Sequence, residues 1–210
     1  GGHSYNEFTK NPSLMGLLNP IVADCVPSEH RSPRRSGRLR VSYRGRREVD
    51  AAAEAVKALN PDVNVKTWHG NINCEMGLGV FRHVDAIIGC LDNREARLSI
   101  NRMSWAIGKP WVDGAIEELM GIVRVFWPGE GACYECTLTD MDYQLIGLRY
   151  SCPLLARQNL LKGKVPTTPT SASIVAAFQT QEALKLLHGL EVQPGQAMII
   201  NGLTNDCLFK

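Results

Sequence analysis

Three groups of residues in this chain have the types and spacing that chemistry needs. The first is Asp92-Asn93, which follows the apolar run Val84 to Gly89 by way of Cys90-Leu91, with Asp113 closing the next apolar run. The second is Cys133-Tyr134-Glu135-Cys136, two thiols at the spacing that lets a tight turn present both to one zinc ion, which takes four soft ligands. The third is Cys152, a single thiol in a stretch without periodicity, with Arg149 and Arg157 near enough in sequence to stabilise a thiolate. Each has a plainer alternative. Asp92 reads equally as the cap of the helix that follows it. The cysteine pair also fits a redox dithiol or two unrelated buried thiols, and Cys152 fits a buried, inert cysteine.

The elements that must position these residues are legible from periodicity. Val84 to Gly89 reads as a buried parallel strand. Arg94 to Ile107 carries apolar residues at Ala96, Ile100, Met103 and Ile107, a helix face, and Gly108-Lys109-Pro110 stops it. Trp111-Val112 opens another strand that ends at Asp113-Gly114. Ligands in an open α/β sheet bind outside the carboxyl ends of the strands, so Asp92 and Asp113 are both expected to face one. Upstream, Val49 to Leu59 predicts a helix ended by Asn60-Pro61, and Asn64 to Trp68 a strand, with a loop from Asn71 to Gly79. Downstream, Ile122 to Trp127 predicts a strand, and Asp140 to Lys164 shows no clear period. Pro166 to Ser171 leads into a helix over Ala172 to His188, whose face is traced by Ile174, Ala177, Phe178, Gln181, Leu184 and Leu187. Ala197 to Asn201 is a final strand. Together these predict one α/β domain over residues 48–210, Rossmann-like and doubly wound, with a mostly parallel sheet.

Residues 1–47 are poorly patterned. Gly1-Gly2 has the composition of a glycine-rich phosphate loop with no strand ahead of it, and Ile21-Val22-Ala23-Asp24 reads as the end of a strand. Asp24 follows Gly2 at about the 20-residue spacing of a ribose-binding acid in a dinucleotide fold. Arg31 to Arg47 holds eight arginines with no lysine and no acidic residue. It reads as a patch for nucleic acid or an acidic partner, a solvated or disordered loop, or out-of-register translation of GC-rich DNA. A net charge of +2 does not point to nucleic acid, and hydrophobic and charged contents of 44% and 21% are ordinary for a globular protein. The apolar runs are too short for a membrane span, and the start lacks a signal-peptide pattern. Seven cysteines with one close pair suit metal or catalytic use in a reducing compartment, so a cytoplasmic location is expected.

Cys90-Leu91-Asp92-Asn93 followed after three intervening residues by Arg97, then Ile100-Asn101-Arg102, then Gly108 to Gly114, resembles the E1-like adenylating enzymes of the ThiF/MoeB/HesA type. Residues 177–189, AFQTQEALKLLHG, are similar to a helix of that family, and the Cys133/Cys136 turn to its zinc knuckle. The resemblance spans about residues 45–205 and implies a chain incomplete at its N-terminal end. It implies ATP-dependent adenylation of the C-terminal glycine of a ubiquitin-like or sulfur-carrier protein, with ATP, magnesium and zinc as cofactors. Asp92 would be catalytic, beside the phosphates and magnesium. Asp24, Arg31, Asn93 and Arg97 would bind nucleotide, Cys133 and Cys136 zinc, and Cys152 would receive the activated acyl group. A homodimer is implied, because basic groups in the family also come from a partner subunit. A second cysteine pair, in relatives that bind zinc, lies beyond the position matching Lys210. Glu48 stands where the family has a nucleotide-binding lysine, which keeps open an impaired module that only binds its partner. An NAD(P)-dependent oxidoreductase is a weaker alternative, because no G-x-G-x-x-G follows a strand.

Overall fold

The computed structural model describes residues 19–24, 47–72, 75–91, 93–151 and 168–210. Asp92, Arg31 and Cys152, expected in the site, lie outside the described residues. In chain order the elements are β1 (Ile21–Asp24), α1 (Glu48–Leu59), β2 (Lys66–His69), α2 (Leu78–Arg82), β3 (Ile87–Gly89), α3 (Arg94–Ile107) and β4 (Trp111–Glu117). β5 (Met120–Phe126), α4 (Asp140–Ser151), α5 (Pro169–Leu187), β6 (Ala197–Asn201) and β7 (Asp206–Phe209) complete them. None of the described helices is long and apolar enough to cross a membrane.

The sheet architecture is α/β and mixed. β1 pairs in parallel with β2, and β3 with β4. From β4 onward the ladder is antiparallel, through β5 and β6 to β7. The reversal comes at the turn after Glu117, where Glu118 takes a left-handed φ of 53°. Nothing in its residue type advertises that turn, since glycine and asparagine are the usual occupants. The strand Ile21–Asp24 lies ahead of residue 48, with α1 packed on it and on β2. Val22, Val49, Ala52, Val56, Val63 and Val65 form the small core between them.

Successive residues of a strand point to opposite faces, and β4 shows what each face receives. Trp111 and Asp113 point toward α3, and Val112 and Gly114 toward α5. On the α3 side Trp111 stacks on Phe126 at 4.8 Å, with Tyr134 edge-on to both, and Ile87, Leu98 and Ile100 close the cluster. Ala23 and Trp68 pack against this same cluster, so β1 and β2 share a core with β3 and β4. The α5 side is built from Val112, Val123, Val125, Val175, Ala183 and Met198.

The expected face of α5 is corrected. Its buried residues are Ser171, Ala172, Val175, Ala176, Gln179, Thr180, Glu182 and Ala183, while Ile174 and Leu187 are each 39% exposed. The reason is close approach. A Cβ added at Gly121 would come within 2.4 Å of Val175, so the helix lies near enough to the sheet that small side chains occupy the contact.

Candidate functional site

β3 is three residues long, and side chains from both faces of the sheet hold the chain as it leaves Gly89. α3 begins with Asn93 as its N-cap, the side-chain oxygen accepting from the Ala96 N–H at 2.7 Å. The N-cap is thus Asn93; the reading of Asp92 as a cap falls on a residue outside the described ones. Gly108, at φ 68°, ends the helix as its sequence predicts.

One turn into α3, Arg97 is 9% exposed and turned inward. Its Nε donates to both carboxylate oxygens of Asp113, at 2.9 and 3.1 Å. Nη2 donates to the carbonyls of Leu91 at 2.7 Å and Gly114 at 3.1 Å, and Nη1 to that of Asn93 at 3.4 Å. The resemblance implies Arg97 as a phosphate partner, and strand position implies that Asp113 faces a ligand. The structure instead joins them to each other, with Asp113 only 4% exposed. Their chemistry is to fix the turn between β3 and α3.

From the opposite face comes Gln179 of α5, fully buried, whose Nε2 donates to the Gly89 carbonyl at 2.9 Å. Its Oε1 accepts from the Cys90 thiol at 3.9 Å. Burial pushes that thiol up to about 12, so Cys90 stays protonated and is no nucleophile at neutral pH. The sequence reading passed over Gln179. Its signal was a glutamine in a small-residue helix stripe, opposite strands that carry Gly114 and Gly121.

The Cys133/Cys136 pair forms as expected, with sulfurs 3.4 Å apart at a 3-10 turn over Glu135–Thr137. Burial opposes charge on Cys133, but hydrogen bonds from Cys136, Asn101 and Glu135 outweigh it and hold the thiol below its ordinary value. The turn is tied to α3: Asn101 accepts from the Tyr134 N–H at 3.1 Å, and Arg102 meets Glu135 at 3.2 Å. Two thiols are half of what a structural zinc takes, and no group of three or more His, Cys, Asp or Glu that could hold a metal occurs among the described residues. These residues alone do not fit a closed zinc site.

Asp24 closes β1, in register with His69. Arg94, the first residue of α3, pairs with Asp142 in the first turn of α4 at 2.9 Å. That helix lies in the stretch read as aperiodic and leads toward position 152.

The chain is 30% identical over 163 residues to a ubiquitin-like modifier-activating enzyme 5 of Dictyostelium discoideum, covering 71% of this chain and 41% of that protein. Against the Drosophila mojavensis protein of the same name it is 31% identical, covering 68% and 38%. The chain thus spans well under half the length of these curated relatives. Among solved structures, E. coli MccB with succinimide superposes with a TM-score of 0.79 at 14% identity, over 98% of this chain and 60% of that one. MccB solved with ATP gives 0.76 at 14%, over 100% and 61%, a likeness of fold. The pattern described as the ThiF family matches residues 22–210, from the second residue of β1 through every element after it, and the chain belongs to that family.

Proposed function

We propose that this chain is the nucleotide-binding part of an enzyme that activates the C-terminus of a ubiquitin-like protein by adenylation. The observation that carries the reading is the doubly held turn at the carboxyl end of β3, where Arg97 and Gln179 fix the backbone on either side of Asp92. This is the rim at which open α/β sheets bind ligands. The names of the curated relatives support the reaction class.

The carrier's terminal carboxylate is already a nucleophile, so the protein has to position it and offset charge. With Asp113 spent on Arg97, Asp92 is the acidic residue between β3 and α3 left to support magnesium. Magnesium would neutralise the ATP phosphates there. A carboxylate oxygen of the carrier forms a bond to the α-phosphorus, the bond to the β-phosphate oxygen breaks, and pyrophosphate leaves. Asn93 caps α3 so that its first N–H groups, which favour anions, face the same rim. The finer part of the proposal is transfer: the Cys152 thiolate attacks the acyl carbonyl, a thioester forms, and AMP departs.

The test is pyrophosphate exchange into ATP by the purified chain, given a protein ending in Gly-Gly. Carrier-dependent exchange that Asp92→Ala abolishes is the expected result. Exchange that is absent, or unaffected by Asp92→Ala, overturns the reading. A reducible carrier adduct lost in Cys152→Ala, and retained in Cys90→Ala, is expected for the transfer step.

A further inference from the structure

A fully buried glutamine is an odd occupant for the sheet-facing stripe of a helix. Its buried neighbours there are Ala172, Val175, Ala176 and Ala183, with Ser171, Thr180 and Glu182, which bond within the helix or its cap, whereas Gln179 reaches another element. An amide costs free energy to bury unless both of its ends are bonded, and a methionine would fill the same space without that demand. Gln179 meets the demand at one place only, where β3 ends. Its N–H donates to the Gly89 carbonyl and its oxygen accepts from Cys90. The fold also makes room for it: a Cβ at Gly114 would lie 2.3 Å from the amide.

We propose that Gln179 is a positioning residue, fixing the Gly89 carbonyl and with it the direction in which the chain leaves β3 toward Asp92. The inference rests on magnesium-ATP binding at that rim. Arg97 holds the carbonyls of Leu91 and Asn93 from the other face, so the turn is tied to helices on opposite sides of the sheet. Arg97 governs the second half of the turn and Gln179 its departure point.

The experiment compares Gln179→Met and Gln179→Glu with the unmodified chain. It measures the affinity for magnesium-ATP across pH and amide hydrogen exchange at Leu91 and Asn93. Methionine keeps the volume and removes the donor. It should weaken nucleotide binding about tenfold at every pH and speed exchange in the turn by a similar factor, the scale of one buried hydrogen bond. Glutamate keeps the shape, and its burial raises the carboxyl pKa. While protonated it still donates to Gly89, and once ionised it repels that carbonyl. Gln179→Glu should therefore match the unmodified chain at low pH and fall to the methionine level as pH rises. The charged groups around it are paired throughout, Arg97 with Asp113 across the sheet and Glu182 with Lys185 on the next turn, and the Cys90 thiol stays neutral. Gln179→Met with unchanged affinity and unchanged exchange overturns the proposal. If that variant does not fold, a flat pH profile for Gln179→Glu overturns it. If the unmodified chain binds no magnesium-ATP, the nucleotide reading fails, and exchange at Leu91 and Asn93 alone judges Gln179.

Discussion

The two faces of β4 are made of opposite materials. Toward α3 it presents Trp111 and Asp113, a large aromatic and a charge, met by Phe126, Tyr134 and Arg97. Toward α5 it presents Val112 and Gly114, met by valine, alanine and one amide. The first face is held by specific partners and tolerates no single loss. The second is held by close approach and tolerates no gain of volume. Both converge on the turn after β3, held on one side by the Arg97 guanidinium and on the other by the neutral amide of Gln179 that the close approach of α5 seats there.

Substitutions that act on one face only should expose the difference. Arg97→Leu leaves Asp113 buried without its counter-ion and should cost about 3–5 kcal/mol in urea denaturation. Adding Asp113→Val should recover most of that loss, because the orphaned charge goes too. Gly114→Ala drives a methyl into Gln179 and should cost about 1–3 kcal/mol. Here the rescuing partner is Gln179→Ala, which makes space, and a double variant no better than the single one would show that close approach does not limit this face. Thr139→Val removes the hydroxyl that caps α4 and should cost about 1 kcal/mol. It also bears on acid stability. Hydrogen bonds from the Thr139 backbone and hydroxyl, helped by Arg94, hold the Asp142 carboxyl below the usual carboxylate range. A lowered folded pKa gives stability that is present above the unfolded value and lost as pH falls through the folded one. Thr139→Val should flatten that acid loss in a pH series of melting temperatures. The smallest effect belongs to Ile174→Ser on the outward side of α5, within about 0.5 kcal/mol.

The bounds of α3 were legible, because apolar residues at helical spacing end at Gly108-Lys109-Pro110, but its buried face also takes Arg97, Asn101 and Ser104, and its cap is Asn93, where the sequence offers Asp92. α4 was not, because its apolar residues do not form a stripe and Met141 is 69% exposed. Its signal was the Thr139 to Asp142 spacing of a capping box. The α5 stripe was misread because hydrophobicity marks the largest side chains, while the glycines of the facing strands select the smallest. β7, exposed along its length, has no buried alternation to detect. Of the site, the strand that ends at Gly89 and the helix that starts at Arg94 were legible. Which charges meet was not. Arg97 and Asp113 are sixteen residues apart, and only the parallel pairing of β3 with β4 brings them together.

Trp111 offers a consequence of a different kind. It is one of four tryptophans, is wholly shielded, and its indole N–H meets no acceptor among the described residues. An excited indole emits at shorter wavelength when no water or polar group can relax around it. Trp111 should therefore contribute a blue-shifted band that moves red when the core between α3 and the sheet opens. It is an optical gauge that reports on this core without nucleotide or carrier.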